Sequence, residues 1–293
     1  MKTTIIYHSS TGNTRLCAET AAEELRRQGH DCALIDVRHA GGETALERLR
    51  DSALIGVATP TYAFQPAWNL MDFVKSLPPL ENKPGFILCT CAAAPSNTVR
   101  MLAKALRKIN IYTIASRKIK CEESFTPIRF RFLKWGRGRP REKDLGKVRA
   151  FIRRVCDKAR GPLSLRKRRY FNWPTPFYLI ALMSSRKNQL KGMFGKRVIV
   201  DRCTSCGVCA RICPTRSIQL APVPVGEMRS SRRLVVEDDA RLEEKIGEAR
   251  VLNLPRFADT CMACYGCVNL CPEDAIYTPL CRNHPRYRGP AAR

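Results

Sequence analysis

Residues 203–214 read CTSCGVCARICP, and residues 261–272 repeat the pattern as CMACYGCVNLCP. Both follow the spacing C-x2-C-x2-C-x3-C-P, in which three close thiolates and a fourth beside a proline suit a cubane iron–sulfur cluster. Structural zinc is the alternative, but zinc sites usually present two C-x2-C pairs that lie far apart in the sequence. The repeat therefore predicts these cluster ligands: Cys203, Cys206, Cys209, Cys213, Cys261, Cys264, Cys267 and Cys271.

With these cysteines, residues 199–280 resemble the two-cluster ferredoxins of bacteria. The resemblance implies two 4Fe-4S clusters whose ligands cross between the runs. One cluster would take Cys203, Cys206, Cys209 and Cys271, and the other Cys261, Cys264, Cys267 and Cys213. The segment between the runs, residues 214–260, is longer than in compact ferredoxins and has a charged helical pattern at 239–251. An insertion on a surface loop at this place need not disturb the clusters, because loop-closure entropy grows slowly with loop length.

The start of the chain contains a second motif. Residues 3–7 form an apolar, β-rich run, and residues 9–14 read SSTGNT and open a helical pattern. Where a strand leads into a helix through small hydroxyl residues and a glycine, free amide hydrogens and the positive helix end form an anion pocket. The loop has no lysine, which argues against a P-loop for ATP. An ordinary strand-to-helix turn remains as the alternative.

The string S-x-T-G-N-T after a first strand resembles the phosphate loop of flavodoxins, which implies FMN as a cofactor. The residues implied to surround the phosphate are Ser9, Ser10, Thr11, Gly12, Asn13 and Thr14. Further apolar runs at 32–37, 53–58, 85–89 and 109–115 alternate with helical patterns. They predict an α/β fold with a flavodoxin-like, doubly wound parallel sheet, whose ligands bind at the carboxyl ends of the strands.

Two loops at those strand ends complete the predicted flavin site. One contains Thr59, Pro60, Thr61 and Tyr62, and the other contains Thr90, Cys91 and Ala92. Tyr62 is predicted to stack on the isoalloxazine ring, and the alternative is a tyrosine that covers the core. Residues 92–95 are alanines and a proline where flavodoxins usually have glycines. This departure concerns the backbone contacts to the flavin ring and leaves the phosphate end unchanged.

Together, the motifs resemble a family of anaerobe proteins that join a flavodoxin-like domain to a two-cluster ferredoxin domain. The predicted organisation is a flavodoxin-like FMN domain at 1–160, a basic, aromatic-containing bridge at 161–198, and a small α+β ferredoxin-like domain at 199–293. The last helix of the first domain is predicted at 145–159. The resemblance implies electron passage between FMN, the clusters and an external partner, and we favour an electron carrier over a dedicated enzyme.

Two other functions remain open at this point. An FMN-dependent reductase could use the clusters to feed electrons to a small acceptor such as a quinone. A built-in dinucleotide site is not supported, because the GRG string at 136–138 lacks a third glycine and a preceding apolar strand. A basic binding protein could instead use the clusters as structural elements and need no flavin.

The chain carries a formal net charge of +26, and most of it lies in one segment. Residues 117–197 contain 25 lysines and arginines against 5 aspartates and glutamates, a net of +20. We interpret this segment as a solvated surface, as a docking site for an acidic redox protein, or as a contact with an anionic membrane surface. Nucleic acid is disfavoured because no recognition motif accompanies the charge.

The bridge also contains an apolar stretch at 177–183 that is far shorter than the roughly 20 residues of a transmembrane helix. It suits an interfacial helix or, as we favour, a helix packed between the two modules. No secretory pattern opens the chain, and seven cysteines lie outside the repeats. Scattered cysteines of this kind are typical of buried thiols in a reducing cytoplasm. We therefore predict a cytoplasmic protein. It would also associate with a membrane surface if the bridge binds lipid.

Overall fold

The computed structural model describes residues 1–128, 135–162 and 195–290, which form two compact units. The first unit contains residues 1–123, 135–162 and 289–290, and the second contains residues 124–128 and 195–288. The units differ from the predicted domains at two places, because residues 124–128 belong to the second unit and residues 289–290 to the first. Nearly all of the predicted bridge, including its apolar stretch, lies outside the described residues.

The first unit is built on a sheet with the strand order β2-β1-β3-β5-β6, in which all five strands are parallel, and β4 adds a short antiparallel pair to β3. This order is that of flavodoxin-like doubly wound folds, so the predicted fold class is confirmed. The strands are β1 (Lys2–Tyr7), β2 (Asp31–Asp36), β3 (Leu54–Tyr62), β4 (Gln65–Pro66), β5 (Lys83–Cys91) and β6 (Ile111–Lys120).

Three strands run further than their apolar stretches suggest. Strand β3 includes Thr59–Tyr62 and β5 includes Thr90 and Cys91, so these residues are strand ends and not loops. Strand β6 continues to Lys120, which pairs with Cys91. The pairing is made by backbone groups, and it persists on an edge strand after the side chains have become polar. Candidate flavin residues therefore lie at the carboxyl ends of β3 and β5.

Five helices cover this sheet: α1 (Asn13–Arg27), α2 (Gly42–Asp51), α3 (Trp68–Ser76), α4 (Thr98–Lys108) and α5 (Glu142–Arg160). The predicted apolar face of α1 is fully buried, and it packs in one core with the sheet and α5. Helix α5 starts three residues before the predicted position, because the Asp144 carboxylate accepts from the backbone N–H of Arg141 and caps the first turn.

The second unit is a small α+β domain. A three-stranded sheet has the order β11-β7-β9, and β8 pairs with β10 in antiparallel fashion. Its strands are β7 (Arg197–Ile199), β8 (Ile218–Pro224), β9 (Leu234–Val235), β10 (Val251–Phe257) and β11 (Ile276–Tyr277). Its helices are α6 (Val208–Arg211), α7 (Val225–Ser230), α8 (Asp239–Ile246) and α9 (Gly266–Asn269). The cysteine runs supply the short helices α6 and α9.

The segment between the cysteine runs is a folded subdomain and not a surface loop. Its side chains Val223, Met228, Leu242 and Leu254 form an apolar core that also includes Val198 and Val200. Helix α8 ends at Ile246, before the predicted end at residue 251. It ends there because Gly247 takes a positive φ of 47° and a short 3-10 turn follows. Residues 251–257 then form β10. No helix in the described part of the chain is long and apolar enough to cross a membrane.

Candidate functional site

The structure gathers the eight cysteines into two groups of four, each around its own cavity. The first cavity is lined by Cys203, Cys206, Cys209 and Cys271. The second is lined by Cys261, Cys264, Cys267 and Cys213. These groups are the crossed sets that the resemblance to two-cluster ferredoxins implies. Four thiols around a cavity of this kind fit a cubane cluster.

The thiols surround the cavities and do not converge on a point. Within residues 1–128, 135–162 and 195–290, no three His, Cys, Asp or Glu side chains are arranged to hold a single metal ion. Most of the thiols are shielded from solvent, and Cys206 is the exposed member of the first group. Burial raises the pKa of the Cys209 thiol to about 11, so a bound cation is what would keep this group deprotonated at neutral pH.

The two cysteine runs share an unusual backbone. In the first run Ser205, Gly207 and Arg216 have positive φ, and in the second Ala263, Tyr265 and Asp274 have positive φ at the matching positions. Positive φ is uncommon for residues other than glycine. Its recurrence at three matched positions turns the short cysteine loops in the same way around both cavities. Tyr265, which occupies the position of Gly207, is almost completely buried beside the second cavity.

Lys196 is a buried cation at the second cavity that sequence reasoning missed. Its Nζ donates to Cys261 Sγ at 2.9 Å and lies 5.8 Å from the centre of the Tyr265 ring. Burial opposes its charge, but the negative charges of the Cys267 and Cys261 thiolates outweigh that effect, so the pKa of Lys196 is raised. Lys196 lies 65 positions before Cys261. No local pattern in the sequence could have indicated this contact.

In the first unit, residues 9–14 connect β1 to α1, as the predicted anion pocket requires. Gly12 precedes the helix with φ of 95°, a conformation that suits glycine, and no side chain caps the helix start. The Gly12 N–H donates to Ser9 Oγ, and Asn13 Nδ2 donates to the carbonyl of Glu122. The backbone N–H groups of the first turn of α1 point out of the helix N-terminus, where the helix dipole favours a negative charge.

A buried hydrogen-bond network fixes this loop. Asn69 Nδ2 donates to His8 Nδ1 at 3.0 Å, so the imidazole proton lies on Nε2, which donates to Ser10 Oγ at 3.0 Å. Tyr62 OH also donates to Ser10 Oγ, at 2.8 Å. With both acceptor positions used, the Ser10 hydroxyl has its own proton left to donate. Burial lowers the pKa of His8 to about 3, so this imidazole is neutral near pH 7.

The other predicted flavin residues lie at the same edge of the sheet. Thr14 and Thr90 share a hydrogen bond of 2.7 Å between their hydroxyl oxygens, and Cys91 and Ala92 are buried next to them. Only one of the two hydroxyl protons is used in that bond, which leaves one for an anion. The proton left on this threonine pair and the proton left on Ser10 both suit the oxygens of a phosphate group.

Thr59 and Thr61 have their hydroxyls engaged within the protein. Thr59 Oγ1 donates to the carbonyl of Pro60 and accepts from the Ala67 N–H. Thr61 shares a hydrogen bond of 3.1 Å with Thr98 at the start of α4. These contacts tie the end of β3 to the helices that follow it.

The structure adds a neighbour of the phosphate loop that the sequence did not indicate. Gly289 and Pro290 lie against Thr11 and Gly12, within the first unit. A Cβ atom on Gly289 would lie 2.6 Å from the carbonyl oxygen of Thr11, and one on Gly12 would lie 2.9 Å from Pro290 Cδ. The close approach therefore requires glycine on both sides. The two segments are separated by nearly the whole chain.

Comparison with known families matches each unit. Residues 4–115 match the flavodoxin domain family, and residues 199–275 match the family of 4Fe-4S dicluster domains. The second match displaces zinc as the interpretation of the cysteine repeat. The comparison with curated protein sequences gave no match.

Solved structures similar to the chain include a flavodoxin from the domain Archaea, with 16% identity over 55% of this chain and 100% of that one, and a TM-score of 0.40. Flavodoxin 1 from Bacillus cereus has 15% identity over 54% of this chain and 98% of its own, with a TM-score of 0.40. Rubredoxin oxygen:oxidoreductase from Desulfovibrio gigas has 18% identity over 55% of this chain but only 37% of its own, with a TM-score of 0.42. Because these identities and TM-scores are low, the proposed function is argued from the two domain matches and not from the solved structures.

Proposed function

We propose that this chain, which joins a flavodoxin domain to a 4Fe-4S dicluster domain in the order of the flavodoxin–ferredoxin fusion family, transfers electrons between FMN, two 4Fe-4S clusters and an external redox partner. The observation that supports this proposal best is the division of eight cysteines into two four-thiol cavities. Two cavities in one small domain suit two clusters, each with three ligands from one cysteine run and the fourth from the other.

FMN exchanges one or two electrons whereas a 4Fe-4S cluster exchanges one, so the combination can divide a two-electron input into single steps. The chain's own residues would hold these groups in place. For FMN, the hydroxyls of Ser10, Thr14 and Thr90 and the amides at the start of α1 would bind the phosphate. Tyr62 would contact the ring from the end of β3 while its hydroxyl keeps the hydrogen bond to Ser10.

Analysis of protein purified without oxygen tests this function. We expect flavin absorption bands together with a broad cluster shoulder, and about eight iron and about eight acid-labile sulfide per chain. Reduction should bleach both chromophores. A preparation with zinc and no sulfide would contradict the cluster assignment. If the cluster shoulder is present but flavin bands stay absent after reconstitution with FMN, the result would favour the binding protein whose clusters are structural.

The basic segment at 117–197 supports the proposed partner, an acidic redox protein or an anionic membrane surface. Its net charge of +20 attracts anionic surfaces over a range set by the Debye length. That length falls from about 10 Å at 0.1 M salt to about 3 Å at 1 M. The seven cysteines outside the repeats are buried free thiols, which is in keeping with a reducing cytoplasm.

Replacing Arg166, Lys167, Arg168 and Arg169 together with glutamine should slow electron transfer to the partner at low salt, as high salt does to the unmodified protein. Stopped-flow rates with acidic redox proteins and sedimentation with anionic vesicles measure the two kinds of partner separately. Cluster and flavin content serve as the control for intact cofactor sites. If neither rates nor vesicle binding respond to salt or to the quadruple change, the segment is a solvated spacer.

A further inference from the structure

The two cysteine cavities differ in the polar groups that surround their sulfur atoms. Because the cysteine runs repeat in sequence and in backbone conformation, each position of one run has a counterpart in the other. Differences between counterparts therefore show what is specific to each cavity. Hydrogen bonds to the ligand sulfurs and nearby charges are the features by which a protein sets the reduction potential of a cluster.

The second cavity has a cation directly on a ligand sulfur. Lys196 is only 6% exposed, and its ammonium lies 2.9 Å from Cys261 Sγ. Lys196 stands seven positions before Cys203, and its counterpart seven positions before Cys261 is Leu254. Leu254 is fully buried in the apolar core against which Cys203 packs. The sequence position that supplies a positive charge to the second cavity is thus occupied by an apolar residue in the other repeat.

The fourth cysteine of the second cavity also lies beside hydrogen-bond donors. The Ser217 N–H donates to Cys213 Sγ at 3.3 Å, and Ser217 Oγ lies 3.2 Å from the same sulfur. Thr215 Oγ1 donates to Ser217 Oγ at 3.1 Å, so the Ser217 hydroxyl proton is left for the sulfur. These donors stabilise negative charge on the Cys213 sulfur.

The counterparts in the first cavity have the opposite character. After Cys271, the position of Ser217 is taken by Ala275 and that of Thr215 by Glu273, an exposed residue that lines the cavity. Alanine has no hydroxyl to donate, and a carboxylate disfavours added negative charge. Backbone amides of Ser205 and Ala210 interact with Cys203 and Cys209, as the Ala263 amide does with Cys261 in the second cavity. The difference lies in the side chains.

Reduction adds one electron to a cluster and breaks no bond, so it adds one negative charge to the cavity. A buried cation and hydroxyl donors stabilise that charge, and a carboxylate destabilises it. We propose that the cluster held by Cys213, Cys261, Cys264 and Cys267 is the easier of the two to reduce, because of Lys196 and Ser217, and that it holds the first electron to enter the domain. This inference rests on the proposed function, since it requires both clusters.

An anaerobic redox titration of the full-length protein, followed by electron paramagnetic resonance, tests the inference. The cluster signals of the unmodified protein, recorded apart from those of the flavin, should show two separate one-electron waves, with at least a tenfold preference for one cluster, which corresponds to about 59 mV. Cys206→Ala, which removes a ligand of the first cluster, should retain the wave at higher potential. This variant assigns each wave to its cavity.

Lys196→Met should then lower the higher wave and leave the other in place, whereas Lys196→Arg should restore most of the difference. Lys245→Met is the matched control, because the Lys245 ammonium donates to the carbonyl of Asp201 and not to a sulfur. It removes the same charge from the domain without removing an N–H···S bond, and the Lys245 charge acts on Cys203 in the first cavity, so it should leave the higher wave in place.

Two milder variants make the test independent of Lys196, whose replacement could prevent assembly of the second cluster. Ser217→Ala should lower the higher wave, and Ala275→Ser should raise the lower wave by adding the missing hydroxyl to the first cavity. Coincident waves in protein that contains full iron and sulfide would overturn the inference and leave the proposed function intact. Absence of sulfide from the unmodified protein would overturn the proposed function itself.

Discussion

Replacing Cys206 with alanine is expected to remove half of the iron and acid-labile sulfide, so that about four of each remain per chain. Cys206 is a proposed ligand of the first cluster alone, and its exposed side chain contributes little to the core. Alanine is preferable to serine because it offers no oxygen as a substitute ligand. The affected domain should also lose stability, because a cluster that binds only the folded state stabilises it.

Cys281→Ser is the matched control for this prediction. Cys281 is fully buried in the same domain, and its Sγ shares a hydrogen bond of 3.0 Å with Thr278 Oγ1, which a serine hydroxyl can keep. It lies ten positions after Cys271 but is not among the residues that line either cavity. This variant should retain all of its iron. Full iron in Cys206→Ala, or loss of iron in Cys281→Ser, would show that the ligand sets are wrong.

Replacing Thr14 with valine is expected to weaken FMN binding by about 10- to 150-fold, which corresponds to about 1.5–3 kcal/mol. Thr14 is 1% exposed, and its hydroxyl forms a pair with Thr90 that has one proton left for an anion. Valine keeps the shape of the side chain but removes this donor, and a phosphate dianion depends strongly on each hydrogen bond in a buried site.

Thr20→Val provides the control on the same helix. The Thr20 hydroxyl donates to the carbonyl of Leu16 at 2.8 Å and lies away from the phosphate loop. FMN affinity, measured by quenching of flavin fluorescence, should fall in Thr14→Val and stay unchanged in Thr20→Val. Riboflavin, which has no phosphate, should bind both variants equally. If Thr14→Val binds FMN as tightly as the unmodified protein, the phosphate does not lie on this loop.

The architecture could be predicted because its signals are local in the sequence. Apolar runs and helical patterns alternate along the first 160 residues, and this alternation specifies a parallel sheet whatever the distant contacts are. The spacing of each cysteine run likewise places three thiols within a few residues of one another. The ends of β3, β5 and β6 were less predictable, because backbone pairing continues beyond the apolar residues. The positive φ of Gly247, which ends α8 early, is also a property of the folded backbone.

The sequence by itself thus determined the two domain types, the spacing of the eight thiols and the strand–loop–helix at residues 2–27, since each depends on residues that are neighbours along the chain. Only the tertiary structure decided which groups face them. It brings Lys196 to Cys261, Asn69 to His8, and Pro290 to Gly12, and in each case the partners are far apart in sequence. Such contacts depend on how strands and loops pack in three dimensions, and a lysine or a proline carries no mark of its eventual neighbour. The surroundings that distinguish the two cysteine cavities therefore became visible only in the fold.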